Sequence, residues 1–171
     1  MQNQNSTSRS TTEPQQNDVL ERPEFKHPTF TPWQAALMGL KLWMPKAQLG
    51  AMVEGLRSRE ERQYFRDKSL EMAVRVLDMP KTYEQDGKGD AAIVYLHYFI
   101  GGFDFYITEK DVTDGVTQAF GFVNSLDCGE LGYISITEIV SCGAELDLFF
   151  EPTPLAEIKK KHGIPLADSD D

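Results

Sequence analysis

Residues 91–151 decide the fold, and they read AAIVYLHYFIGGFDFYITEKDVTDGVTQAFGFVNSLDCGELGYISITEIVSCGAELDLFFE. Apolar runs of strand length alternate in this stretch with Gly, Asp and Asn residues, which are typical of turns. Gly101-Gly102 separates two of these runs and supplies the positive φ angles that a two-residue hairpin turn requires. The pattern therefore predicts an antiparallel sheet of about five strands.

The predicted strands cover 91–100, 103–108, 118–124, 131–134 and 146–150, and a short helix over 136–142 precedes the last one. Alternation in the second strand places Phe103, Phe105 and Ile107 on one face and Asp104 and Tyr106 on the other. Gly121 lies inside the third strand, which indicates a bulge or a close approach of another backbone.

Helical signals precede the sheet. Thr31 with Gln34 and Ser58 with Glu61 have the spacing of capping boxes, and apolar residues recur behind them at helical intervals. We predict helices over 31–44, 46–56 and 59–79, and a further short helix over 155–161. The fold class is α+β, with N-terminal helices packed on the antiparallel sheet.

The domain organisation follows from composition. A helical segment, 28–80, and a sheet segment, 81–162, form one domain. Residues 1–27 are rich in Gln, Asn, Ser and Thr, so we predict a disordered tail, and 163–171 form an acidic tail.

Charge is unevenly distributed along the 171 residues, whose net charge is −10. Residues 83–157 contain about 14 acidic side chains against Lys88 and Lys110 only, whereas 31–82 contain nine basic and six acidic side chains. An acidic surface repels nucleic acid and attracts basic partners. The plain alternative is that the charge serves only solubility.

A hypothetical binding surface can be drawn from the carboxylates of the sheet half. We expect these six to face a partner: Asp104, Glu109, Asp111, Asp114, Asp127 and Glu130.

Two other functions stay open. Asp127, Glu130 and Glu138 could hold magnesium or manganese in a hydrolase or nuclease, but they also fit a solvated turn and a helix cap. Arginines in the longest helix could bind nucleic acid, although interleaved acidic residues favour a salt-bridged, solvated face. The arginines concerned are 57, 59, 62, 66 and 75.

No cofactor or metal is expected. His97 lies in an apolar strand, where a histidine is usually a packed residue with one satisfied nitrogen. Cys128 and Cys142 lie too far apart to form a zinc-binding pair. Since no apolar run approaches the ~20 residues that span a bilayer and the start has no signal-peptide pattern, we expect a cytoplasmic protein with reduced thiols.

Several strings resemble a bacterial family that is catalogued as domain of unknown function 2958. The resemblance covers about residues 58–158 and is carried by MPKTYEQDG (79–87), VYLHYF (94–99), DFYITEKD (104–111), QAFGF (118–122), ELGYISITEI (130–139) and AELDLFFEPTPLAEI (144–158). It implies an accessory protein of plasmids, phages or integrative elements. It provides no catalytic residues that could be transferred to this chain.

The expected function is therefore non-enzymatic. The acidic surface would bind a basic, DNA-handling protein of the host or the element, without direct nucleic-acid or membrane binding. In the sharper version, the six carboxylates stand in for phosphates, and the chain is a DNA mimic that blocks the DNA channel of a defence nuclease.

Overall fold

The computed structural model describes residues 29–125 and 128–166. The predicted disordered tail 1–27 and the end of the predicted acidic tail, 167–171, lie outside this part of the chain.

Five α-helices are described. Gln34 Oε1 accepts the N–H of Thr31 at 2.9 Å at the start of the first one, as the capping signal predicts. The helices are α1 (Pro32–Gly39), α2 (Lys46–Arg57), α3 (Arg62–Asp78), α4 (Ile136–Ser141) and α5 (Leu155–Lys161), and a 3₁₀ turn, Leu40–Leu42, continues α1.

The described strands form two antiparallel sheets. The main sheet has five strands in the order β5-β4-β3-β2-β6, and a small sheet joins β1 to β7. The strands are β1 (Ile93–Val94), β2 (Leu96–Ile100), β3 (Phe103–Glu109), β4 (Ala119–Ser125), β5 (Cys128–Ile134), β6 (Glu145–Leu146) and β7 (Thr153–Pro154). The α+β class and the five-stranded antiparallel sheet are thus confirmed.

The main sheet is buried on parts of both faces, which alternation along the strands makes possible. Tyr98 and Ile107 belong to the larger core, together with buried residues of α1, α2 and α3. We call this side of the sheet the helix face. Tyr106 and Phe122 point to the opposite face, where Leu155 of α5 packs on them, and we call it the α5 face.

Three predicted boundaries need correction. The long helix starts at Arg62 rather than Arg59, because residues 58–61 form a turn in which Ser58 Oγ accepts the Glu61 N–H at 3.3 Å. The last strand ends at Leu146, because Asp147 accepts the Phe149 N–H at 2.9 Å and turns the chain. The fourth strand is longer than predicted and starts at Cys128.

The first predicted strand, 91–100, is also divided. The side-chain amide of Gln85 accepts the N–H of Ile93 and donates to its carbonyl, both at 2.8 Å. Ile93 therefore pairs with a side chain and with β7, and only Leu96–Ile100 joins the main sheet.

Gly121 is a position of close backbone approach, as its place in the sequence predicts. A Cβ atom there would collide with the Tyr106 carbonyl oxygen and would lie 3.0 Å from Ile107 Cα, both in the backbone of β3. The register between β3 and β4 shifts immediately beyond this point, between Ile107 and Glu109. Gly121 thus permits the tight contact of β3 and β4 beside a β-bulge.

Gly121→Ala is expected to lower the free energy of unfolding by about 1–3 kcal/mol, because backbone atoms cannot move aside as a flexible side chain can. Gly132→Ala is the matched control: Gly132 is the cross-strand partner of Gly121, and a Cβ there would meet no atom within 4 Å. Urea unfolding followed by circular dichroism measures both variants. Equal losses of stability would contradict the role of close approach.

Candidate functional site

Two of the six predicted surface carboxylates lie inside the protein, which corrects the expected surface. Glu109 is only 3% exposed. Its carboxylate accepts the backbone N–H of Tyr83 at 3.3 Å and that of Gln85. Asp111 is also buried and accepts the N–H groups of Thr113 and Gln118 at 2.8 and 2.9 Å. Donors withdrawn from water need such acceptors, so these two carboxylates hold loops in place and lie away from the surface.

Asp104 is half-buried and belongs to an internal network. His97 Nε2 lies 2.8 Å from Asp104 Oδ1, and His97 Nδ1 lies 3.1 Å from Asp147 Oδ2. Each ring nitrogen of His97 thus lies within hydrogen-bonding distance of a carboxylate oxygen. His97 is a packed sheet residue, as expected, but both of its nitrogens are satisfied rather than one.

The same network includes Tyr106, whose ring stacks on His97 with 4.6 Å between centroids. Burial raises the pKa of Tyr106 well above its usual range, and the charges of Asp104 and Asp147 raise it further. The Tyr106 hydroxyl lies 2.8 Å from His162 Nε2 of the turn after α5. The network fixes α5 to the sheet and leaves Tyr106 buried and protonated.

The remaining predicted carboxylates differ in their surroundings. Asp114 is exposed, and its pKa falls to about 2, chiefly because the Thr117 hydroxyl donates to it, and further because the N–H groups of Thr117 and Val116 do so. Glu130 is exposed on β5. Asp127 lies outside the described residues.

An apolar groove lies on the helix face, at the turn end of the β2–β3 hairpin. Its volume is about 310 Å³, and it is lined by Ile100, Phe103, Phe105, Glu138, Ile139 and Cys142. Phe103 is 46% exposed, and its ring is parallel to that of Phe105 with centroids 6.4 Å apart. The Gly101-Gly102 turn and the alternation of β3 bring these two rings to one face. We call this feature the hairpin groove.

Two carboxylates stand beside the hairpin groove. Glu138 lines it from the third position of α4. Glu130 is the cross-strand partner of Val123, and Val123 is the cross-strand partner of Phe105. Glu130 therefore lies on the same face of the sheet as Phe105, at a distance of two strand spacings, about 10 Å. Both side chains are exposed, and no described side chain forms a salt bridge with either. The groove therefore combines an apolar floor with uncompensated negative charge.

The carboxylate cluster proposed as a metal site is incomplete in the described residues, since Asp127 lies outside them. Over 29–125 and 128–166, no three His, Cys, Asp or Glu side chains come together in a group that could hold a metal ion.

Three of the five arginines predicted to bind nucleic acid make contacts within the protein, whereas Arg57 and Arg59 are exposed. Arg75 is buried and pairs with Glu71 at 2.8 Å, as the i,i+4 spacing indicates. Arg66 lies over the Trp33 ring, 5.5 Å from its centroid, and Arg62 Nε donates to a backbone carbonyl at 3.1 Å. These three guanidinium groups do not form an exposed row that could follow a phosphate backbone.

A second apolar groove, of about 480 Å³, lies between α1 and α3. Leu70, Val74 and Leu77 expose its α3 side at helical spacing. None of these three residues was predicted to belong to a binding surface, although all are apolar and sit at i, i+4 and i+7.

The chain matches no protein-family model, no curated protein and no solved structure. The resemblance to the mobile-element family therefore stays a prediction that rests on the quoted residues. Within the described part of the chain, no helix is both long and apolar enough to cross a membrane.

Glu109→Gln is expected to lower the free energy of unfolding by about 1–3 kcal/mol, because it puts an amide in place of the carboxylate that accepts one buried and one partly buried N–H group. Glu130→Gln, at an exposed position, should change it by less than about 0.5 kcal/mol. Chemical denaturation of both variants measures the difference. An unchanged free energy of unfolding in Glu109→Gln would contradict the role of this carboxylate as an anchor of the loop.

The depressed pKa of Asp114 predicts a pH effect. Because the folded-state value lies below the unfolded value of 3.8, Asp114 stabilises the fold above pH 3.8, and this contribution is lost as the pH falls towards 2. Thr117→Val should raise the pKa towards 3.8, since it removes the hydroxyl donor. Thr113→Val is the control, because no Thr113 side-chain bond to Asp114 is described. Carboxyl-carbon NMR titration measures the pKa, and an unchanged value in Thr117→Val contradicts the assigned cause.

Proposed function

We propose that this chain is a non-enzymatic interaction protein whose hairpin groove binds a basic, amphipathic segment of a partner protein. The observation that carries the proposal is the exposed Phe103–Phe105 surface with Glu130 and Glu138 beside it. Exposed aromatic side chains in a groove are typical anchors of protein interfaces. Carboxylates that no described side chain of the same protein pairs with favour a partner that supplies a cation.

The chemistry of the partner follows from these two features together. An apolar side chain of the partner would fill the space between Phe103 and Ile139, and lysine or arginine side chains next to it would reach Glu130 and Glu138. Nucleic acid fits this surface poorly, because its phosphates would meet the same carboxylates. A protein segment with alternating basic and apolar residues fits it well.

The resemblance to the mobile-element family supports a more specific proposal for the function and the partner. In that context the chain is a cytoplasmic accessory protein of a plasmid, phage or integrative element. Its partner is then a basic, DNA-handling protein of the host or the element.

The structure supports a DNA mimic less well than it supports a groove that binds a basic segment. Glu109 and Asp111 are buried, and Asp104 is bonded to His97, so these three carboxylates cannot form an exposed row of phosphate substitutes. A mimic would have to use other exposed carboxylates, such as Asp114 and Glu130.

A photo-crosslinking experiment in cells that carry the element tests the groove. The photoreactive residue p-benzoylphenylalanine replaces Phe103 in the full chain, and Phe149, which is 76% exposed, is the matched control position. We expect a basic protein to be captured from position 103 and not from position 149. Mass spectrometry identifies it.

Charge reversal completes this test. Glu130→Lys with Glu138→Lys should lower the crosslink yield from position 103 by roughly fivefold to tenfold, since each exposed ion pair contributes about 0.2–1 kcal/mol and reversal adds repulsion. Raising the salt concentration should act in the same direction. An unchanged yield in the double variant, or an acidic captured protein, would remove the proposal.

A further inference from the structure

Strand β5 forms an edge of the main sheet that no described residue pairs with on its outer side. It is seven residues long and pairs with β4 in unbroken register from Cys128 to Ile134. The strand contains no proline, lysine or arginine, and no bulge interrupts it. Natural sheets usually blunt an exposed edge with such features, because the unpaired N–H and C=O groups attract another strand.

The opposite edge of the same sheet is blunted. Gln48 of α2 donates its Nε2 hydrogen to the Leu146 carbonyl at 2.6 Å and accepts the Leu146 N–H at 3.0 Å. One side-chain amide thus takes the place of a neighbouring strand beside β6. The protein closes one edge of the sheet in this way and leaves the longer edge open.

We infer that β5 pairs with β5 of a second copy of this chain, in antiparallel orientation, about a two-fold axis that is perpendicular to the sheet and passes midway between the two Leu131 residues. The pairing joins the two main sheets into one continuous sheet of about ten strands. An axis in this direction keeps the helix faces of both copies on the same side.

The register of this pairing is self-complementary. Centred on Leu131, it places Leu131 opposite its own copy, Glu130 opposite Gly132 of the second copy, and Gly129 opposite Tyr133 of the second copy. All seven residues of β5 obtain a partner. A centre on Glu130 would instead place two carboxylates directly opposite each other, which destabilises a strand pair.

The side chains on the α5 face support the same register. Leu131 and Tyr133 are 49% and 57% exposed, although each sits next to an aromatic residue of β4. In the dimer the two Leu131 side chains cover each other. Each Tyr133 lies opposite Gly129 of the second copy, where Phe122 and Ile164 of that copy already pack over the glycine, so the ring meets an apolar surface.

The contact area of one strand pair is smaller than the standard interface of about 1,600 Å². We therefore expect an equilibrium between monomer and dimer that shifts with protein concentration. Sedimentation velocity of the full chain over a dilution series should show it. Sedimentation as a monomer at every concentration would overturn the inference.

Cysteine crosslinking tests the register. In a Cys128→Ser, Cys142→Ser background, Leu131→Cys places two thiols opposite each other at a Cα separation of about 4.5–5.5 Å, within the range of disulfides. Tyr133→Cys is the matched control on the same strand, because its two copies would lie about 13 Å apart. We expect disulfide-linked dimers from Leu131→Cys only. Equal crosslinking of both variants would overturn this register.

A charge variant separates this interface from any other. Leu131→Lys places two ammonium groups opposite each other and should give a monomer with an unchanged circular dichroism spectrum. Phe99→Lys, at an exposed position of β2, should remain dimeric. A dimer that persists in Leu131→Lys would show that another surface forms it. Neither result depends on the partner of the hairpin groove.

Discussion

The β-bulge between Ile107 and Glu109 positions the residues that connect the main sheet to the C-terminal end of α3. Lys110, directly after it, donates its N–H to the Pro80 carbonyl and accepts the Thr82 N–H, both at 2.8 Å. The Lys110 ammonium donates to the carbonyls of residues 76 and 77, so a positive charge lies at the C-terminal end of α3. Because the bulge also places Glu109 against the loop that starts at residue 81, the position of the helices relative to the sheet depends on it.

Local sequence signals predicted the parts of the fold that local interactions determine. The Gly101-Gly102 turn, the alternation from Phe103 to Ile107 and the helix Leu155–Lys161 all follow from neighbouring residues, and the structure contains them. Simple alternation would place Glu109 on the same face of the sheet as Phe105. Because of the bulge, Glu109 instead pairs with Phe120 and binds the loop at residues 83–85. Gln48 binds Leu146 across 98 positions of the chain, which no periodic pattern reveals. The boundaries of the long helix and of the last strand were also predicted wrongly, because local turns at residues 58–61 and 147–149 shorten both elements.

At the candidate site, the exposure of individual carboxylates likewise could not be predicted from the sequence. The number of carboxylates in the sheet half can be counted in the sequence, but burial and hydrogen bonding determine which of them are available at the surface. Asp111 holds its own loop, and Asp104 lies 2.8 Å from a ring nitrogen of His97, which also contacts Asp147, 50 positions away from it. Glu130 and Glu138 are exposed because they lie on an edge strand and in the first turn of a short helix, and no described side chain forms a salt bridge with them. The apolar floor between them depends on the hairpin and α4 meeting, and no single stretch of sequence contains it.

The groove and the open edge reinforce each other physically. With a two-fold axis perpendicular to the sheet, both hairpin grooves of a dimer would lie on the same face. Phe105 is two strands from β5, so the two grooves would be separated by roughly five strand spacings, about 25 Å. A partner with two basic segments, or a dimeric partner, could occupy both at once, and the second contact would then benefit from a high effective concentration. Weak single contacts would then be sufficient for stable binding, because the two-fold symmetry of the proposed dimer would supply the second contact.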